Sequence, residues 1–331
     1  FVITTFLRIL TLPAADVVIV VSPPLALGIA AAALRVLKRM PFIFHVQDLQ
    51  PDAALSLGLL KQGWIRTILF WLERFSYRNA ARVSGISHGM LEAFRSKGIA
   101  ESKLIYFPNG VSIPPAEGFS SRGAFRARQG LGASDFIAVY SGNLGQKQGL
   151  EVLIDAGARL KATNVHIFVC GDGARRDALA ERVAELGLGN VMLLPLQPTA
   201  AYYEMLADAD VCVITQEPGT GGAFLPSKLL PALAFGKPVL AVSDPDSELA
   251  RAVTGGGFGL NITPPNPMSV AAALDELAHD QERLSAFQRA AAQYGRQFEQ
   301  GKVHDDFAAQ LVALLNTVNV VYEQEAVSRV V

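Results

Sequence analysis

Cysteine is nearly absent from this chain, with only Cys170 and Cys212 in 331 residues. Each lies in an apolar run, so the two read as buried thiols of a reducing compartment, the cytoplasm, and a disulfide framework or zinc ribbon is excluded. Histidine is scarce as well: the five, at positions 45, 88, 166, 279 and 304, show no ligand spacing. Asp244-Pro245-Asp246 has the form of a cation-chelating run, but it leads into SELARAV with Asp246 or Ser247 as N-cap, so neither a metal nor a cofactor is expected. Charged residues make up 18% of the chain and the net charge is −1, which excludes nucleic acid as the main partner, because phosphate-backbone binding leaves a basic surplus.

A secretory leader is also missing, since FVITTFLRIL has no basic start and no small-residue cleavage site. The chain opens on Phe1 rather than Met, and the expectation is that the native protein starts upstream, with residues before Phe1 supplying a further strand to the first sheet. Val17 to Leu34 carries no charge over 18 residues, the length of a membrane span. Ser22-Pro23-Pro24 divides it. Proline cannot donate to a helix ladder, so the run reads as a buried strand, VVIVVS, followed by a helix, LALGIAAAALRVLKR.

Half of the residues are hydrophobic, enough for two ordinary α/β cores. Apolar runs alternate with helical patterns, which argues for parallel sheets covered on both faces. Strands are expected near 16–22, 42–47, 83–86 and 103–107, then near 136–141, 165–170, 191–194, 211–215, 239–242 and 259–262. Between the two sets, NGVSIPPAEGFSSRG is rich in proline, glycine and serine and reads as an interdomain linker. The expected organisation is a first domain over 1–110, a linker over 111–122, a second domain over 123–300, and a final helix over 301–331.

Open α/β sheets bind ligands beyond the carboxyl ends of their strands. In the second half those positions hold Gly142, Asn143, Gly145 and Lys147, then Gly171, Asp172 and Gly173, then the stretch from Gly219 to Lys228. The segment FLPSKLLPALAFGKPVLAVSD places Ser227, Lys228 and Leu229 at the head of a helix, where free N–H groups and a lysine suit a diphosphate. The plainer alternative is that Ser227 caps an ordinary helix, Lys228 is solvated, and the glycines only permit tight turns. In the first half, HVQDLQPD leaves a strand with His45 and Gln47 on one face and Asp48 at the exit, the place for acceptor-side chemistry. Asp48 alternatively caps a turn before Pro51, and His45 is alternatively a hydrogen-bonded core residue. From Gly63 to Ala80, Trp64, Ile68, Trp71, Leu72 and Phe75 recur at helical spacing beside Arg66, Arg74 and Arg78. That pattern fits core packing, or a peripheral contact with an anionic membrane.

The ordered set SPPLALG, HVQDLQPD, GISHGM, FPNGVS, SGNLGQKQGLEVLI, CGDGARRDAL, PSK and DSELARAV resembles the retaining glycosyltransferases of family 4 along nearly the whole chain. Within that family it is most similar to exopolysaccharide enzymes of the colanic acid fucosyltransferase type. The resemblance implies a GT-B fold, two Rossmann-like parallel-sheet domains facing a cleft, with the final helix returning to the first domain. It implies metal-independent transfer of a sugar from a nucleotide-sugar donor to a polyprenyl-linked or saccharide acceptor. Donor contacts carry over to Gly142, Asn143, Gly145, Lys147, Gly171, Gly173, Ser227, Lys228 and Leu229, and catalytic roles to Asp48, Gln47 and His45. The departures are Asn143 and Gln148 where the family has arginine and lysine, Ala223 and Pro231 where it has two glutamates, and Gln47 in the place of a histidine. They leave two other readings open, a non-catalytic nucleotide-sugar binding protein and a nucleotide-sugar epimerase.

Overall fold

The computed structural model describes residues 1–56, 63–112, 123–219 and 225–328. Most of the expected linker, and Gly221, Gly222 and Ala223, lie outside the described residues. The chain divides into two compact units, Phe1–Asn109 with Gly301–Val331, and Gly110–Gln300.

The first unit runs α1 (Val2–Thr11), β1 (Val18–Ser22), α2 (Leu27–Lys38), β2 (Phe42–Val46), α3 (Gln50–Ser56), α4 (Trp64–Asn79), β3 (Arg82–Gly85), α5 (His88–Ser96) and β4 (Leu104–Tyr106). Its four strands form a parallel sheet in the order β1-β2-β3-β4. The uncharged stretch at Val17 is therefore a strand and the start of a helix, divided at its prolines. Among the described residues no helix is long and apolar enough to cross a membrane. One face of the sheet is covered by α2 and α4, which cross so closely that a Cβ on Gly28 would stand 1.9 Å from Ser76 Oγ.

The second unit runs α6 (Ala124–Arg128), β5 (Phe136–Ser141), α7 (Glu151–Gly157), β6 (Val165–Cys170), α8 (Arg176–Glu185), β7 (Val191–Leu194), α9 (Thr199–Asp208), β8 (Val211–Thr215), α10 (Leu229–Ala234), β9 (Val239–Val242), α11 (Glu248–Gly256), β10 (Gly259–Ile262), α12 (Pro267–His279) and α13 (Gln281–Gly295). Six parallel strands lie in the order β10-β9-β8-β5-β6-β7. The four inner strands are apolar on both faces and buried, which is why unbroken runs such as FIAVYS form strands rather than alternating ones. Helix starts follow their side chains: Ser247 Oγ accepts the Ala250 N–H, Asn266 caps α12 ahead of Pro267, and Asp280 caps α13. Val111 pairs with Glu299 and Ser112 donates to Gln300, so these two residues of the proline-rich connection belong to the second unit.

The last helix, α14 (Gln300–Ser328), belongs to the first unit from Gly301 onward, with Phe307 and Leu314 packed on Ile43 and Ile105 and the Phe307 ring stacked on Phe107.

Candidate active site

In the second unit, β5, β6 and β8 end side by side, and the turns after them interlock. Gly142 donates its N–H to Cys170 O, Leu144 to Asp172 O, and Arg175 to Leu144 O. The two turns touch at their backbones: a Cβ on Gly171 would lie 1.9 Å from Gly142 O, and one on Gly173 would lie 2.6 Å from Leu144 O. Both glycines have φ near +150°, as does Gly142, so these positions demand glycine by conformation and by contact.

Lys228 reaches this junction from the end of the next loop. A Cβ on Gly142 would be 2.2 Å from Lys228 Cε, and the ammonium lies 5.3 Å from the centre of the Tyr140 ring. The Tyr140 hydroxyl donates to Asn143 O, tying the ring to the same turn. Lys228 is half-buried, and burial lowers its pKa. Among the described residues its ammonium has no carboxylate partner, so a cation stands at a glycine-lined junction of three strand ends with only an aromatic ring to balance it.

The structure thus brings together Gly142, Asn143, Gly145, Gly171, Gly173 and Lys228. Asn143 and Gln148 flank Gly145, each within about 3 Å of where its Cβ would be. Lys147 is exposed, and its carbonyl accepts the Glu217 N–H, joining this turn to the end of β8. The helix start differs from the expectation. Lys228, not Ser227, holds the N-cap position of α10, no side chain caps it, and the N–H groups of Leu229 and Leu230 are bonded to Pro226 O and Ser227 O. Leu229 is fully buried and Ser227 exposed. With those donors committed in a six-residue helix, the lysine amine rather than the helix terminus supplies the positive end of the site. Pro231 falls in the first turn, where its missing N–H disturbs nothing.

Four buried polar atoms at the same edge, Gln148 Oε1, Thr215 Oγ1 and both amide atoms of Gln216, have no hydrogen-bond partner among the described residues. Such groups are uncommon and mark a strained or functional position. Thr215 and Gln216 are absent from the sequence reading. The signal available was a polar pair closing an otherwise apolar strand run.

The candidate residues of the first unit form a chain of side chains at the carboxyl ends of β2, β3 and β4. His45 is 3% exposed; its Nδ1 is 2.8 Å from Ser84 Oγ and its Nε2 is 2.6 Å from Gln47 Nε2. Because the Gln47 amide donates, Nε2 accepts and the ring proton sits on Nδ1, facing the serine. Asn109 Nδ2 in turn donates to Gln47 Oε1 at 3.2 Å. Burial lowers the His45 pKa to about 4, so the ring is neutral near pH 7. Asp48 lies two residues beyond the end of β2 and is exposed. Ser84 and Asn109 were not singled out from the sequence, although parallel pairing sets Ser84 opposite His45. Asp244 accepts the Gly219 N–H and Ser247 caps α11, so Asp244-Pro245-Asp246 leads into a capped helix.

Two parallel-sheet α/β units, one carrying a glycine-lined junction with a desolvated lysine, define a GT-B glycosyltransferase architecture. Solved structures share it: HepE of Anabaena in complex with UDP superposes with a TM-score of 0.76 at 20% identity over 94% of this chain and 82% of that one. HepE has also been solved with UDP-glucose. Residues 121–294 match the family Glycosyl transferases group 1, and residues 2–110 match the Glycosyl transferase 4-like domain; the chain belongs to the group 1 glycosyl transferase family. It is 33% identical to the Escherichia coli K12 glycosyl transferase WcaI, named for colanic acid biosynthesis, over 63% of this chain and 53% of WcaI. It is 26% identical to WbjE of Pseudomonas aeruginosa, also named a glycosyltransferase, over 79% of this chain and 66% of WbjE. The matched part thus spans about half of the first relative and about two thirds of the second.

Proposed function

We propose that this chain binds a nucleoside diphosphate sugar in its second unit and transfers the sugar, with retention at the anomeric carbon, to a lipid-linked surface-polysaccharide acceptor at the inner face of the cytoplasmic membrane. The observation that carries the donor half is the half-buried Lys228 amine lying on Gly142 with no carboxylate partner among the described residues. A diphosphate supplies the missing counter-charge and accepts hydrogen bonds there. The UDP and UDP-glucose complexes of HepE favour a uridine diphosphate donor, and the name of WcaI favours an exopolysaccharide product.

Retaining transfer without a covalent intermediate asks the protein to hold donor and acceptor together and to stabilise positive charge at the anomeric carbon. The exposed Asp48 carboxylate is the group for that charge. The Gln47 amide, held by His45 on one side and Asn109 on the other, presents a fixed dipole to the acceptor. His45, neutral near pH 7, positions Gln47 rather than carrying charge.

A second reading, a non-catalytic nucleotide-sugar binding protein, is favoured by the uncharged Asn143, Gln148 and Pro231 where the resemblance calls for arginine, lysine and glutamate. Donor consumption with and without a lipid-linked acceptor separates the readings. Acceptor-dependent loss of donor supports transfer, acceptor-independent isomerisation indicates an epimerase, and binding without turnover leaves a binding protein. Thermal unfolding with uridine and guanosine diphosphates and their sugars identifies the nucleotide, because a ligand at a hundred times its Kd stabilises by about 2.7 kcal/mol.

A further inference from the structure

Helix α2 packs on β1 and β2 of the first sheet, and α1 and α4 each pack against α2. Most of the large apolar side chains that the described chain leaves exposed are on these three helices. Ile3 (74% exposed) and Leu7 project from α1, Val36 (79%) and Leu37 from α2, and Trp64 (73%) and Trp71 from α4. The stripe on α1 is not explained by packing, since none of its residues is buried. Ile29, Val36 and Leu37 fall on one stripe of α2, and Trp64, Ile68 and Trp71 on one of α4, both at helical spacing and both turned away from the core.

The charge on the same helices is of one sign. They carry Arg8, Arg35, Lys38, Arg66, Arg74 and Arg78 against a single acid, Glu73. Glu73 is 3% exposed and held by Lys97, so it contributes nothing to the outer face.

We infer that the α1-α2-α4 face docks on an anionic lipid bilayer, with the apolar stripes entering the headgroup region and the arginines on lipid phosphates. Tryptophan and aliphatic side chains edged with arginine suit the boundary between headgroups and acyl chains. Each cation near an anionic surface adds to the attraction, and Arg8, Arg35, Arg74 and Arg78, the four of the six that are exposed, add together. A second copy of the chain fits less well, because a twofold pairing of this face sets its cations against themselves. The inference rests on the proposed lipid-linked acceptor only for its purpose. Docking is measured without donor or acceptor, so it stands or falls apart from sugar transfer.

The test is flotation of the purified chain with phosphatidylcholine vesicles, with and without phosphatidylglycerol, followed by tryptophan emission. The expected result is co-flotation with the phosphatidylglycerol vesicles only, a blue-shifted emission, and release as salt rises. Trp64→Ser with Trp71→Ser, and separately Arg74→Glu with Arg78→Glu, each lower the partition about tenfold or more while the unfolding curve stays in place. Failure to float with either vesicle overturns the inference, and so does equal flotation with both. A dimer in lipid-free sedimentation that either double variant dissolves also overturns it, by assigning the face to a second copy.

Discussion

The side chain of Lys228 lies across the α-carbon of Gly142, so close that a methyl group there would sit 2.2 Å from Lys228 Cε. Gly142→Ala therefore displaces the ammonium without touching its charge. The expected outcome is that Gly142→Ala and Lys228→Met each weaken nucleoside diphosphate binding by about tenfold to a hundredfold, the range for losing a charge-assisted hydrogen bond. The double variant is no worse than the weaker single one, since both remove the same contact. Titration calorimetry checks this, and additive losses would separate the two residues.

Gly171→Ala is expected to be more damaging to the fold. Its Cβ meets a backbone oxygen, Gly142 O, and no rotamer change relieves a 1.9 Å approach to the main chain. The loss of stability should exceed about 3 kcal/mol, against about 1 kcal/mol for Gly130→Ala, which also has positive φ but opens on empty space. Urea unfolding of the two variants gives the comparison.

His45 ties stability to pH. Its pKa is about 4 in the folded chain, against about 6.5 unfolded. Between those values the unfolded chain takes up a proton that the native one does not. The His45 contribution is therefore complete above about pH 6.5 and is lost as the pH falls toward 4, amounting to about 2 kcal/mol between pH 7.5 and pH 5. His45→Asn should lower this slope. A variant with the wild-type slope would show that other groups govern acid unfolding.

Lys97 holds Glu73 at 2.7 Å and Asp52 in the same cluster, and the Tyr77 hydroxyl donates to Glu73 at 3.0 Å. Burial is the main cause that raises the Glu73 pKa, against the pull of Lys97. Lys97→Met leaves a buried carboxylate without its cation and should cost about 3–5 kcal/mol at neutral pH. The loss shrinks as the pH falls, because a protonated Glu73 needs no counter-ion. Denaturation at pH 8 and pH 5 tests the sign, and a loss that is larger at the lower pH would contradict it.

Asp48→Asn is expected to lower turnover by tenfold or more, roughly, while donor affinity and melting temperature hold, since the role proposed for its charge is in the transition state. If the melting temperature falls with the activity, Asp48 acts as a cap for the turn before Pro51.

All six strands of the second unit have the bounds that their apolar runs suggest, and in the four inner ones the reason is burial on both faces, which leaves few polar residues to blur their ends. In the first unit the expected strands run one to two residues too long at several ends, where Asp16, Gln47 and Phe107 belong to the connections. Contacts distant in sequence were not legible. Nothing in PSK shows that Lys228 folds over a glycine 86 positions earlier in the chain, and that contact, with Tyr140 beneath it, defines the candidate site. Ser227 had the composition of a cap, but the chain begins α10 one residue later and leaves it exposed. His45 was legible as a buried histidine, whereas its partners Ser84 and Asn109 required the strand register and the turn after β4.

The interlocked turns at Gly142–Gly145 and Gly171–Arg175 have a thermodynamic consequence for recognition. Because their backbones are bonded to one another and wedged at Gly171, the surface that meets a ligand is ordered when the unit folds and needs little further ordering at each binding event. Association at this edge should then leave amide exchange in both turns almost unaltered, with the entropy of ordering confined to the ligand itself.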